Sequence, residues 1–446
     1  MNRQIKLHSM SLKNVKNVAY GEYFTNSDFN NLKKSDVIGF YGQNGSGKTA
    51  VVDSLNILDK LLALKSLDDI EKLLIEVNSE IMELNFSFLT KFDNNEFFIS
   101  YEVEFEENEN TKLRVVEEVL SFRENIKGKK SKKLVTYRDG KIDIRLKKFN
   151  SLSDDHKVSS KVAIREAERS GLSVIFHDEL DSVYEELLNE NERTLVDILK
   201  FDFSNNLHII ESVDYALLTA NILMPFSIYY ENIRGKVPIR QDDNLPLPLS
   251  VFTLLKESVF PTINMVLPYI IPDLQIEINE IAKRTLSNDE KGVLFEFLAI
   301  RENSIIPLSE ESEGIKKIIS MLSAFMAMFR DPNACIVIDE LDSGIFEYLL
   351  GELLKILNDN GKGQLIFTSH NLRILETLPI KNIWFTTTNP NNRYIQLKQQ
   401  SNTSNYRDVY IRALQIKNQN EVLYDRTDNH KIKKAFIKQT LLGNKS

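Results

Sequence analysis

Apolar and polar residues alternate with a period of two along IMELNFSFL (81–89), EFFISYEVEFE (96–106), TKLRVVEEVLSF (111–122) and KLVTYRDGKI (133–142). Period two places every second side chain on one face, so these runs predict an antiparallel sheet with one buried and one polar side. Ahead of them, DVIGFYG (36–42) is apolar without alternation and reads as a strand buried on both faces. TAVVDSLNILDKLLAL follows shortly after, with Val51, Val52, Leu55, Ile57 and Leu58 at helical spacing. Between about 151 and 275 the period shifts to that of helices, in SSKVAIREAERSG, ELDSVYEELLNENERTLVDILKF and PLSVFTLLKESVFPTINMVL. The turn NLPLPL (244–249) interrupts that stretch. Strand patterns return at LQIEINEIA and alternate with helices through IWFTTTN near residue 390. The predicted organisation is α/β: an N-terminal part (1–150), a helical insertion (151–280), a second part of the same α/β unit (281–400) and a C-terminal helical tail (401–446).

Composition narrows the class without choosing it. The 446 residues are 42% hydrophobic and 27% charged, enough to bury a large core. Neither a signal-peptide apolar stretch in MNRQIKLHSMSLKNV nor a run of about 18 apolar residues is present, which predicts a cytoplasmic protein with no membrane contact. The single cysteine, Cys335, lies inside the apolar run ACIVIDE and is expected to be a buried strand residue without chemistry. A net charge of −8 excludes a surface that attracts nucleic acid as a whole, although a local basic patch can still do so. None of His8, His156, His208 and His430 has metal-ligand spacing, so zinc is not expected.

The chemistry begins at GFYGQNGSGKTA (39–50), where Gly42, Gly45, Gly47, Lys48 and Thr49 fit the P-loop pattern G-x-x-x-x-G-K-[ST]. Glycines let successive backbone N–H groups and the next helix start turn toward the phosphates of a nucleotide. Candidate nucleotide contacts are Gly42, Asn44, Gly45, Ser46, Gly47, Lys48, Thr49 and Ala50, with Lys48 as the point charge and the Thr49 hydroxyl as a magnesium ligand. A P-loop needs an acidic strand beside it, and two segments offer one in nearly the same letters: VIFHDELDS (174–182) and CIVIDELDS (335–343). Only the second has an unbroken apolar run before its first aspartate, as a buried parallel strand requires. Asp339 is therefore expected to hold Mg²⁺ and Glu340 to activate water. The first copy is expected to be solvated helix surface, and His177 with Asp178, Glu179 and Asp181 a solvated face rather than a metal site.

Upstream of the acidic pair, Ser312 and Gly314 precede a long apolar helix in LSEESEGIKKIISMLSAFM; downstream, His370 closes the apolar strand of LIFTSHN. The order of P-loop, S-x-G before a helix, hhhhDE, LDS and strand-then-His resembles the ABC-class ATPase head of the SMC and RecF superfamily. More narrowly it resembles the prokaryotic ABC-type ATPases related to the OLD proteins, many of which serve in phage defence. The likeness covers about residues 1–120 and 290–400. It implies an ABC-type ATPase head, a mixed sheet with the P-loop plus an antiparallel β lobe, binding and hydrolysing ATP with Mg²⁺. It also implies two heads closing around ATP, with Ser312 and Gly314 acting across the dimer, Asp342 at the interface and His370 on the γ-phosphate. Without Asp339 and Glu340 upstream, a histidine after an apolar strand reads as a satisfied core residue; with them, His370 reads as a γ-phosphate sensor. The signature here is EESEG rather than LSGGQ, so Glu310, Glu311 and Glu313 must point away from any phosphate. No glutamine occurs between residues 60 and 120 for a Q-loop, which leaves that role either vacant or filled by another polar residue such as Asn85.

Partners follow more loosely. Lys127, Lys129, Lys130, Lys132 and Lys133 form a basic cluster in a predicted hairpin loop, which fits either a nucleic-acid contact or a solvated turn. OLD-type proteins often carry a Toprim nuclease, whose D-x-D pair is not found after residue 371. The resemblance then implies a homodimer or higher oligomer that controls an effector in trans, a Toprim-type nuclease being one such partner, in anti-phage defence. The alternative from the same resemblance is a RecF-like ATP-dependent DNA clamp in repair.

Overall fold

The structure is a computed structural model that describes residues 3–70, 74–108, 112–145, 147–230, 233–240, 245–286, 289–397, 407, 410–411, 421–423 and 428–443. The period-two runs pair as expected. A seven-stranded antiparallel sheet has the order Val18–Phe24, Gln4–Val15, Ile81–Phe92, Asn95–Glu107, Leu113–Glu124, Lys132–Arg138, Lys141–Ile144. Met82, Leu84, Phe86 and Phe88 all fall on its buried face, and Phe86 stands opposite Tyr101 in the register.

A second, six-stranded sheet carries the P-loop. Its order is Tyr394–Ile395, Ile383–Thr386, Asp36–Tyr41, Gln364–Ser369, Cys335–Ile338, Leu207–Ile210, parallel except for the Tyr394–Ile395 edge. Its strands are apolar on both sides because both sides are covered. Ile38, Phe40, Cys335, Val337 and Ile366 pack with helix Lys48–Leu62 and the antiparallel lobe. Val37, Ile336, Ile338, Leu365 and Phe367 pack with helices Glu313–Arg330 and Glu347–Asn360.

Two expectations are corrected by this sheet. The acidic strand Cys335–Ile338 is not directly beside the P-loop strand, because the chain returns through helix Glu347–Asn360 and inserts Gln364–Ser369 between them. Residues 151–280 are not helical throughout either. Helices Asp154–Ser170, Asp181–Leu187 and Glu190–Asp197 do form, but Leu207–Ile210 is a strand of the P-loop sheet, paired in parallel with Cys335–Ile338. A hairpin, Leu223–Tyr230 with Ile233–Arg240, lies in the same region. The run LHII is too short to display a period, so local pattern cannot separate it from the helices around it. Strands Gln275–Thr285, Lys291–Arg301 and Ser304–Pro307 build a separate antiparallel sheet with Leu247–Pro248. Much of 401–446 lies outside the described residues; within it a helix spans Asn429–Gly443. Among the described residues no helix is long and apolar enough to cross a membrane.

Candidate functional site

The loop Gly42–Gly47 joins strand Asp36–Tyr41 to helix Lys48–Leu62. Gly47, at the helix start, has a φ of 90°, where a side chain is strained, and a Cβ there would stand 2.9 Å from Val18 Cγ2. Among the described residues no side chain caps this helix, the arrangement in which first-turn amides are available to an anion. Neighbouring elements hold the loop from behind. Tyr394 donates to the Gly47 carbonyl at 2.8 Å, the Ser46 hydroxyl donates to the Gln43 carbonyl at 2.6 Å, and Ser46 Oγ meets Thr386 Oγ1 at 2.5 Å. Asn17 donates to the Gly45 carbonyl, and Arg393 in turn holds the carbonyls of Asn17 and Thr387. Asn44 and Gly45 are exposed at the tip, Thr49 is half-buried in the first helical turn and Ala50 is buried.

Lys48 is buried, and its Nζ donates to the carbonyls of Gly42 (2.8 Å) and Gln43 (2.9 Å). Burial lowers its pKa, while the charges of Asp339, Asp342 and Glu340 oppose the shift. One lysine and three acids, nearly 300 positions away in the chain, therefore share one electrostatic neighbourhood. Thr368, at the end of the intervening strand, organises two of the acids. Its hydroxyl donates to Asp339 Oδ1 at 2.5 Å and accepts from the Glu340 amide at 2.8 Å. Asp339 is buried, which raises its carboxyl pKa, with the Thr368 bond working in the opposite direction and the charges of Glu340 and Asp53 adding to the rise. Glu340 adopts a φ of 48°, a left-handed conformation that costs a non-glycine residue about 1–2 kcal/mol. Its side chain is exposed, whereas that of Asp342 is buried. Asp342 Oδ2 accepts from the His370 amide at 3.4 Å and lies 3.6 Å from His370 Nε2, and its Oδ1 is buried with no hydrogen-bond partner among the described residues.

Ser312 caps helix Glu313–Arg330, its hydroxyl accepting from the Ile315 amide. Gly314 packs directly on the loop that follows the acids: a Cβ there would collide with the Gly344 carbonyl. Glu311 is turned into an ion pair with Arg301, so this acid of the EESEG sequence is neutralised. One turn beyond Gly314, the buried Lys317 donates to the carbonyls of Glu340 and Ser343, both at 2.8 Å.

The remaining candidates fall elsewhere. The first DELDS segment lies under the antiparallel lobe, where Glu118 accepts from the Val174 and Ile175 amides and Phe176 packs on Tyr101. Asp178 and Asp181 pair with Lys200 at 2.7 and 2.9 Å. His177 corrects the expectation of a solvated face: it is buried, with Nε2 3.2 Å from Glu166, because the apolar run before it inserts into the lobe and draws it inward. Lys127, Lys129, Lys130, Lys132 and Lys133 are exposed around the turn between strands Leu113–Glu124 and Lys132–Arg138, with Lys129 paired to Glu124 at 3.0 Å. Asn85 is on the antiparallel sheet and donates to Ser11 at 3.2 Å. A polar group does stand at the end of the strand neighbouring Asp339: Glu211 follows Leu207–Ile210 and accepts from Asn56 of the P-loop helix at 3.1 Å.

Thr368, Lys317 and Glu211 are missed by sequence reasoning. Thr368 left one trace, a hydroxyl residue two positions before His370. Lys317 left another, as one of two adjacent lysines, Lys316 and Lys317, at the head of a largely apolar helical stretch.

The family described as "AAA domain, putative AbiEii toxin, Type IV TA system" matches residues 37–376. Solved structures similar to the chain include the SMC head bound to the C-winged helix domain of ScpA, at 11% identity and a TM-score of 0.45 over 88% of this chain and 98% of that one. The SMC head domain from Thermotoga maritima is 14% identical, with a TM-score of 0.38 over 88% and 100%. The recombination mediator RecF with ATP is 11% identical, with a TM-score of 0.35 over 82% and 94%. No curated protein matches the chain.

Proposed function

The chain belongs to this AAA-domain family, and we propose that it is an ATPase that oligomerises around ATP and regulates a separate effector, a nuclease, in anti-phage defence. The observation that carries the reading is the convergence of Lys48 with Asp339, Glu340 and Asp342 at the carboxyl ends of two parallel strands of one sheet, with a single strand between them. The family's description as a toxin of a type IV TA system supports the defence part.

In this reading the P-loop amides and Lys48 bind the β- and γ-phosphates. The donors offered to magnesium are the Thr49 hydroxyl and the Asp339 carboxylate, hard oxygens that suit an ion which prefers oxygen and keeps several waters. Among the described residues no group of three or more His, Cys, Asp or Glu side chains is arranged for a metal, so the ion would rest on these two and the phosphates. Magnesium, when bound, supplies charge neutralisation at the transferring phosphate. The Glu340 carboxylate takes the proton of the attacking water. Thr368 fixes that carboxylate's backbone relative to Asp339. His370, held by Asp342, presents its ring to the γ-phosphate, and Ser312 with Gly314 serves the nucleotide of a second copy.

A second reading, a RecF-like DNA clamp, is favoured by the exposed lysine turn at 127–133. One set of measurements separates them. Lys48→Ala is expected to lose ATP binding, and Glu340→Gln to bind ATP but turn it over about 10²–10⁴-fold more slowly. Tight ATP binding by Lys48→Ala, or normal turnover by Glu340→Gln, would refute the assignment. Duplex DNA that stimulates turnover in a salt-dependent way selects the clamp; a nuclease that copurifies and is released by ATP selects the effector reading.

A further inference from the structure

Helix Glu313–Arg330 and the acidic loop Asp339–Gly344 touch at two points one helical turn apart. At Gly314 the helix backbone lies against the Gly344 carbonyl, with no room for a Cβ. At Lys317 the ammonium donates to the carbonyls of Glu340 and Ser343, each at 2.8 Å. Residues three apart share a helix face, so the two contacts fix both the position and the rotation of the loop. A third element joins them: Lys317 Nζ sits 3.8 Å from the ring centroid of Tyr215, on helix Ser212–Thr219.

The loop needs such a hold. Glu340 is in a left-handed conformation, and the turn is closed by a Ser343 amide bond to the same Glu340 carbonyl, at 3.0 Å. We propose that Lys317 is a positioning residue that fastens the loop bearing Glu340 to the helix begun by Ser312, so that the two move as one body. This rests on the function proposed above for what the loop does, but not for the fastening itself. Burial pulls the Lys317 pKa down to about 8, while Asp342, Glu340 and Asp339 favour its charged form. A neutral side chain of similar length fills the same volume but takes the ammonium from both carbonyls, leaving the Glu340 carbonyl with the Ser343 amide alone. A displacement of the helix start, where a second copy's nucleotide would engage, is thereby passed to the Glu340 backbone of the same chain.

The test uses the full chain. Hydrogen exchange without nucleotide is read at the amides of Leu341, Ser343 and Ile345, which bond to the carbonyls of Thr368, Glu340 and Asp342. Lys317→Met is expected to speed their exchange about tenfold, and Lys317→Arg to restore most of the protection. Lys316→Met is the control: that buried lysine donates to Asn221 and Ser309, not to the loop, and is expected to leave these amides unchanged. Should Lys317→Met fail to fold, Tyr215→Leu reports on the same contact from the other side and is expected to loosen the same amides. In MgATP turnover, Lys317→Met is expected to lower kcat about tenfold with KM within about twofold, as a misplaced group acting only in the reacting state does. Unchanged exchange in Lys317→Met, or an equal rise in Lys316→Met, overturns the inference. A wild-type chain without ATPase activity sinks the functional reading alone, since the exchange comparison still decides the role of Lys317.

Discussion

Replacing Thr368 by valine removes a hydroxyl while keeping the shape of the side chain, so no cavity contributes to the outcome. Two hydrogen bonds disappear: one accepted from the Glu340 amide and one donated to Asp339 Oδ1. The first is a neutral bond worth about 0.5–1.5 kcal/mol and the second, to a charged group, about 1.5–3 kcal/mol, so the sum is about 2–4.5 kcal/mol. That is a large share of the about 5–15 kcal/mol that holds a typical domain. The loss must also depend on pH. Burial already raises the Asp339 pKa, and the Thr368 bond counteracts it. A carboxyl with a raised folded pKa contributes stability below its unfolded pKa and loses it as pH rises through the folded value. Without Thr368 that rise is greater, so the penalty of Thr368→Val is expected to be larger at pH 8 than at pH 5. Urea unfolding followed by the fluorescence of Trp384, the single tryptophan and a buried residue of the same sheet, reads both values. Thr368→Ser keeps the hydroxyl and is expected to lose only the methyl contribution, about 0.8 kcal/mol. If Thr368→Val unfolds within about 0.5 kcal/mol of the wild type at pH 8, the hydroxyl does not hold the two acids.

Two other substitutions test neighbouring contacts. Gly314→Ala gains about 0.5–1 kcal/mol in helix propensity but meets the Gly344 carbonyl, an overlap that costs about 1–3 kcal/mol, so the chain without nucleotide is expected to be less stable; a higher melting temperature would show that the helix does not press on the loop. Asp178→Asn combined with Glu179→Gln leaves Asp181 to pair with Lys200, so a cost within about 1 kcal/mol and ordinary ATP turnover are expected, and an inactive protein would move the acidic site to the first DELDS.

What could be read from the sequence follows from how local each signal is. The antiparallel lobe was legible because period two runs through whole strands, so that Met82, Leu84, Phe86 and Phe88 declare a face without reference to any partner. The P-loop was legible because its glycines answer a backbone requirement. Leu207–Ile210 was not, because four residues carry no period and its strand character exists only through pairing with Cys335–Ile338. His177 escapes a local reading for a related reason: its charged neighbours do face solvent or Lys200, yet the three apolar residues before it insert under the antiparallel sheet, against Tyr101 and Glu118. Thr368 and Lys317 act through main-chain groups of residues 340 and 343, and no residue type at those positions advertises a carbonyl or an amide that needs a partner.

Strand order is the property that a linear reading had least means to supply, and here it has a direct chemical consequence. Adjacent strands lie about 4.8 Å apart, so an acidic strand next to the P-loop strand would set its carboxylate almost against Lys48. With Gln364–Ser369 between them the separation becomes about 10 Å, room for a phosphate and a hydrated ion on the proposed reading. The intervening strand is then more than a spacer. Its last residues reach sideways to the acidic loop, Thr368 to Asp339 and Glu340, and the residue that follows it, His370, to Asp342. The strand that separates lysine from acids is thus also the one that sets where the acids stand.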